Sequence, residues 1–169
     1  MTEEEAVPRI PDVRVIDPPV YTDERGWLSE IYRADWDLPP LVQANLSYSN
    51  ARTLRGLHYQ APRAQAKLIR PVEGRIFDVV VDIRPSSITF GQWEGFWLEA
   101  GMSLWVPPGL AHGFYAATPA LVWYALSGLR DQTVEQVLRL NDPVLAIEWP
   151  DKESILSERD RLAPGWQQI

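Results

Sequence analysis

Arg75-Ile76-Phe77-Asp78-Val79-Val80-Val81-Asp82-Ile83 is the stretch that decides the fold class. Phe77, Val79, Val81 and Ile83 alternate with Asp78, Val80 and Asp82. A period of two residues with one apolar face is the pattern of a β-strand. Glu73-Gly74 just before it reads as a tight turn, so residues 68–72 and 75–83 are expected to pair as a hairpin. Working outward, fifteen prolines and ten glycines punctuate the chain, roughly every eight to twelve residues, the rhythm of short strands joined by turns. The intervening segments are rich in β-branched and aromatic residues. Strands are expected at 13–16, 27–32, 43–48, 56–60, 67–71, 75–83, 92–99, 103–106, 113–117, 121–126 and 135–140. Helix is scarce, limited to a turn near 34–38 and a short helix over 154–160.

The 169 residues are expected to form one domain, 1–169, long enough to bury a core, with 1–9 flexible. Hydrophobic content of 46% with eight tryptophans indicates a packed globule. Sixteen basic residues stand against twenty-three acidic ones, a net charge of −7. That balance opposes nonspecific binding to nucleic acid or to an anionic membrane. An anionic small molecule stays compatible with it, because a few arginines in one cleft dominate locally. No cysteine means no disulfide framework and no thiolate chemistry, in keeping with a reducing cytoplasm. Met1 to Ala6 holds three consecutive glutamates and no apolar core, unlike a secretory signal. No stretch approaches the ~20 apolar residues that span a bilayer. A soluble cytoplasmic protein is the expectation.

The chain has two histidines. His58 lies in Leu54-Arg55-Gly56-Leu57-His58-Tyr59-Gln60, and His112 in Pro107-Pro108-Gly109-Leu110-Ala111-His112-Gly113. Histidine titrates near neutrality, so each is a candidate proton carrier. Taken alone, either could equally be a satisfied core side chain. Many short strands with little helix imply a sandwich or barrel. Pro107-x-Gly109-x-x-His112 resembles the second conserved motif of the cupin fold, in which proline and glycine shape a turn and histidine points into the barrel. The expected architecture is all-β, a cupin-type double-stranded β-helix or jelly roll with short peripheral helices.

Further motifs run in order along residues 10 to 164: Asp23-Glu24-Arg25-Gly26, Leu54 to Gln60, Gln65-Ala66-Lys67-Leu68-Ile69-Arg70, Thr89-Phe90-Gly91-Gln92-Trp93, Leu104-Trp105-Val106-Pro107, Asn141-Asp142-Pro143, Ile147-Glu148-Trp149-Pro150 and Leu156-Ser157. Together they resemble the dTDP-4-dehydrorhamnose 3,5-epimerase family, cupin-fold enzymes of deoxysugar biosynthesis. The resemblance implies a nucleotide-linked 4-ketosugar substrate and inversion of C3, C5 or both. The ketone acidifies the neighbouring C–H bonds. A base, an acid on the opposite face and a donor at the enolate oxygen then suffice, without a cofactor.

The same resemblance implies roles residue by residue. His58 matches the base and Asp142 the carboxylate that orients it, although Asn-Asp-Pro is also a common turn. Lys67 matches the enolate-side cation and Tyr124 the opposite-face acid. His112 is expected to contact the sugar or to serve the cupin turn, and Asp82, which faces the same side of its strand as Asp78, to support the histidines. Arg25 and Arg55 would take the diphosphate, since guanidinium forks match phosphate oxygens. Trp27, Glu30, Gln43, Asn45 and Gln60 complete the substrate-binding set. The resemblance also implies a homodimer whose N-terminal strands lie across the partner and complete its nucleotide site.

One geometric tension follows. Arg55 and His58, three apart, point to opposite faces of a regular strand. Either Gly56 permits a bulge, or Arg55 serves another face. The chain also departs from the family where aromatic and basic residues are usual: Ala125, Leu129, Arg130 and Leu140 stand there. Base recognition is therefore expected to be weakened or moved to Trp27 or Trp123. Leu57-His58-Tyr59 lacks the paired histidine of metal-binding cupins, and no metal is expected. A ketoisomerase on a related sugar and a non-catalytic sugar-nucleotide-binding cupin are the alternatives.

Overall fold

The computed structural model describes residues 9–168. The stretch 1–9 expected to be flexible lies, Arg9 aside, outside the described residues, and the Arg9 amide donates to Glu94 at 2.8 Å. In chain order the strands are β1 (Arg14–Ile16), β2 (Val20–Asp23), β3 (Gly26–Ser29), β4 (Gln43–Ser49), β5 (Leu54–Gln60) and β6 (Lys67–Glu73). They continue with β7 (Arg75–Asp82), β8 (Trp93–Glu99), β9 (Ser103–Val106), β10 (Leu110–Ala116), β11 (Ala120–Leu126) and β12 (Glu135–Val137). One helical turn, α1 (Glu158–Arg161), follows, with Ser157 capping it by accepting from the Asp160 amide. It is shorter than the helix expected over 154–160, because Ile155 is held extended in a parallel bridge to Thr53.

The strands form two five-stranded sheets, ordered β1-β9-β6-β11-β4 and β12-β5-β10-β7-β8, plus the separate hairpin β2-β3. This is the expected jelly roll. Strand β2 was not apparent in the sequence, since it follows Pro18-Pro19 and lacks apolar alternation. Among the described residues, no helix is long and apolar enough to cross a membrane.

Strand β6 pairs with β9 and β11, whereas β7 pairs with β8 and β10. The hairpin expected at Glu73-Gly74 is therefore a corner that carries the chain from one sheet to the other. Gly74 has φ +82° and its missing side chain makes room for the carbonyl of Pro119. The corner needs a glycine for both reasons.

Strand β7 is buried on both faces. Ile76 and Val80 pack between the sheets with Ile69, Leu98, Leu104, Val106, Phe114 and Val122. Its more apolar face, with Phe77, Val79 and Val81, points away from the barrel. There it packs under a C-terminal cover built from Leu138, Leu140, Leu145, Ile147 and Trp149. A third cluster, Leu38, Ala66, Leu68 and Trp105, closes the outer face of the first sheet. The polar side of β7 thus faces the barrel interior, which brings Asp78 to the site described below.

Strands β5 and β10 come into backbone contact. Between the pairs His112–His58 and Phe114–Arg55, three steps along β5 match two along β10. The extra residue is a bulge, and it resolves the Arg55–His58 tension by turning both side chains into the barrel. Gly56 (φ +130°) and Gly113 face each other there, and a Cβ on Gly56 would lie 2.5 Å from Gly113 Cα. Gly56→Ala is expected to lower the unfolding free energy by about 2–4 kcal/mol, from left-handed backbone strain and overpacking. Urea denaturation measures it, and parental stability in the variant would contradict the contact.

Candidate active site

The interior of the barrel opens into a cavity of about 250 Å³. One wall is β5 and β10, contributing Arg55, His58, Gln60 and His112; the facing wall is β6 and β11, contributing Lys67 and Tyr124. Ile69, Leu110, Phe114 and Val122 supply the apolar part of its lining. Glu135 on β12 and Arg130 in the segment before it add to the polar lining, with Ser47 and Gln65.

His58 Nε2 lies 2.7 Å from Asp160 Oδ1. Asp160 sits in the single turn of α1 and is buried. Burial raises its pKa, but the hydrogen bond and charge of His58, the Ser157 hydroxyl and the Gly56 amide outweigh that and leave it lowered. The carboxylate beside the histidine is therefore Asp160, not Asp142. Asp142 is spent on the backbone: Oδ1 accepts the amides of Val144 (2.8 Å) and Leu145 (3.3 Å), and Oδ2 that of Trp166 (2.8 Å). The Asn-Asp-Pro reading as a turn holds for it. Asp160 was legible only as the end of a short helix, because nothing local in Ser157-Glu158-Arg159-Asp160 announces a partner 102 residues away.

A second pair lies beside the first. His112 Nε2 is 2.7 Å from Asp78 Oδ2, both side chains buried. Burial pushes the Asp78 carboxyl up, against the opposing pull of His112 and Lys67. Burial likewise pushes His112 down, against Asp78. Asp82 does not support either histidine. Its carboxylate accepts from Arg84, Ser87 and Thr89, tying down the loop after β7.

The Lys67 ammonium donates to the carbonyl of His58 at 3.1 Å. Burial lowers its pKa to about 8, with Glu135 and Asp78 pulling the other way. Glu135 accepts from Arg130 (2.5 Å to Nε) and from Arg159 of α1 (3.0 Å to Nη1). Three cations, Arg55, Lys67 and Arg130, line the cavity against one lining carboxylate, Glu135. Three of the sixteen basic residues of a protein of net charge −7 are thus gathered at one cleft. Sequence reasoning missed Glu135, which reads as an ordinary strand residue, and noticed Arg130 only as a departure.

Arg55 donates to Ser49 Oγ and the Tyr48 carbonyl, which fixes its guanidinium at the cavity edge. Gln60 Oε1 accepts the Asp131 amide. Gln43 and Asn45 are hydrogen-bonded to each other on β4, and Gln43 also accepts the Arg130 amide. Asn45 is the register partner of Tyr124. Five expected binding residues do not line this cavity within one chain: Gln43 and Asn45 of β4, and three on or beside the β2-β3 hairpin. Arg25 pairs with Asp23 in the turn of β2-β3, Trp27 stands exposed on β3, and Glu30 accepts from Arg33. Among the described residues no cluster of three metal-ligating side chains occurs.

Residues 8–168 match the family described as dTDP-4-dehydrorhamnose 3,5-epimerase. A relative of that name from Neisseria gonorrhoeae is 42% identical over 168 residues; the match takes in 94% of this chain but 51% of the relative, so the chain spans about half its length. One from Shigella flexneri is 41% identical, with 89% of each chain covered. Among solved structures, the Legionella pneumophila dTDP-6-deoxy-D-glucose-3,5-epimerase in complex with dTDP-4-keto-L-rhamnose superposes with a TM-score of 0.90 at 37% identity. That match covers 96% of this chain and 91% of the other. The chain belongs to the dTDP-4-dehydrorhamnose 3,5-epimerase family.

Proposed function

We propose that this protein inverts C3 and C5 of a dTDP-linked 4-keto-6-deoxyhexose by removing and replacing protons beside the ketone, with no cofactor. One observation carries the reading: His58, hydrogen-bonded to Asp160, stands on one wall of the cavity, and Tyr124 and Lys67 stand on the other. In the proposed step, neutral His58 takes the proton from carbon. Asp160 holds the ring in place and stabilises the imidazolium. Electrons move onto the ketone oxygen, where the Lys67 ammonium stabilises the enolate. Tyr124 delivers a proton to the other face of the same carbon, which inverts it. His58 then returns its proton to solvent and Tyr124 regains one.

The cavity, at about 250 Å³, falls just below the ~300–1,000 Å³ usual for small-molecule clefts, so the sugar fits inside and the nucleotide lies at the mouth. Arg55 at the rim would take diphosphate oxygens, and Gln43 and Asn45 the adjoining groups. Arg25, Trp27 and Glu30 would reach the same mouth from a partner subunit of a homodimer. The exposed β2-β3 hairpin supports that arrangement. Trp27 and Leu28 are 70% and 61% exposed, as Leu46 and Tyr48 of β4 are 61% and 59%. A lone two-stranded hairpin is marginal in water, and an apolar patch of this kind marks an interface.

In deuterated water with dTDP-4-keto-6-deoxyglucose, NMR should show solvent deuterium entering at C3 and C5. His58→Ala should slow this by roughly 10²–10⁴-fold while leaving the fold intact. Tyr124→Phe should still exchange but fail to invert. A His58→Ala variant exchanging at the parental rate would sink the proposal. Because the protonated form of Lys67 is the useful one, turnover should fall as pH rises through about 8. Lys67→Met should be slow at every pH and lose that limb. Light scattering should report a dimer, and Leu28→Asp should shift it to monomer and raise KM.

A further inference from the structure

Asp142, though remote from the cavity, stands at the root of the segment that brings Asp160 to His58. The chain leaves β12, forms the C-terminal cover, and returns through α1 to Trp166. Two sets of contacts hold the return leg against the residues just after β12. Arg139 donates its amide to the Pro164 carbonyl (2.9 Å) and its Nε to that of Ala163 (3.3 Å). Asp142 Oδ2 accepts the Trp166 amide at 2.8 Å, while Oδ1 stays locked in its own turn. The approach is close: a Cβ on Gly165 would meet Asp142 Oδ2 at 2.8 Å.

We infer that Asp142 is a positioning residue for the proposed reaction: by clamping the backbone at Trp166 it sets where α1 lies and so where Asp160 meets His58. The inference rests on the function proposed above. The physical case is one of leverage. α1 is a single turn, too short to be stable by itself, so its place is dictated by anchors on either side. Upstream the anchors are the Ile155 backbone bonds to Arg52 and Leu54. Downstream they are Arg139 and Asp142. A carboxylate is suited to the task because it is acceptor-only at both oxygens. Burial raises the Asp142 pKa, but the three amides outweigh that and hold it lowered, so the acceptor persists at neutral pH.

Asp142→Asn keeps one acceptor and the turn, but can set an NH₂ against the Trp166 amide. A misplacement near 1 Å commonly costs on the order of 10²-fold in rate. The variant should therefore lose about ten- to a hundredfold in kcat for deuterium exchange, with KM near the parental value because Asp142 does not line the cavity. The decisive arm is the double variant. If Asp142 acts through Asp160, Asp142→Asn should slow Asp160→Asn no further, whereas independent effects would multiply. Gly165→Ala crowds the same oxygen without removing the charge, and should show a smaller loss with the same non-additivity. It carries the test if Asp142→Asn fails to fold. Multiplying effects, a rise in KM alone, or parental rates would overturn the inference. Parental exchange in Asp160→Asn itself would instead overturn the histidine–carboxylate reading on which it rests.

Discussion

At Gly56 and Gly113 the backbones of β5 and β10 approach more closely than any side chain would allow, and the rest of the site is arranged around that contact. The bulge it accommodates turns Arg55 and His58 to the same side of β5 and leaves Leu54 and Leu57 on the other, in the outer cluster. The same register sets His58 opposite His112 across the two strands. Without the bulge, one of Arg55 and His58 would face the C-terminal cover, and the two could not share a cavity.

The two histidines show how burial separates chemically identical groups. His112 and Asp78 are both sunk in the barrel, where desolvation disfavours charge on either. His58 keeps its side chain 31% exposed at the cavity while its partner Asp160 is buried. Under the proposed chemistry, that is the arrangement a base requires: access to the reacting carbon on one side, a fixed carboxylate on the other. Lys67, on the facing wall, donates to the carbonyl of His58 itself. The base and the cation are thereby tied together through backbone as well as through the cavity.

The C-terminal thirty residues act as more than a cover. They hide the apolar face of β7, which would otherwise expose Phe77, Val79 and Val81, and in the same path they deliver Asp160. Arg159 adds a tie from α1 to Glu135 at the cavity wall. Packing and site geometry are therefore supplied by one segment, and a change in how it seats is felt in both.

Local pattern in the chain was enough for most strands, which depend on neighbours a few positions apart, where alternation and turn chemistry act. His58, Lys67, Tyr124, Arg55, Gln60 and His112, which line the cavity, were named by the resemblance of the ordered motifs to a known family, and local pattern alone did not single them out. The partner of His58 was not open to that reading. Asp142 and Asp160 are both carboxylates near the C-terminus, and which one reaches β5 depends on how the cover folds back. The sheet change at Gly74 and the inward-facing polar side of β7 are of the same kind. Each is settled by which distant surface a segment packs against, and contacts across a hundred residues leave no periodic trace in sequence.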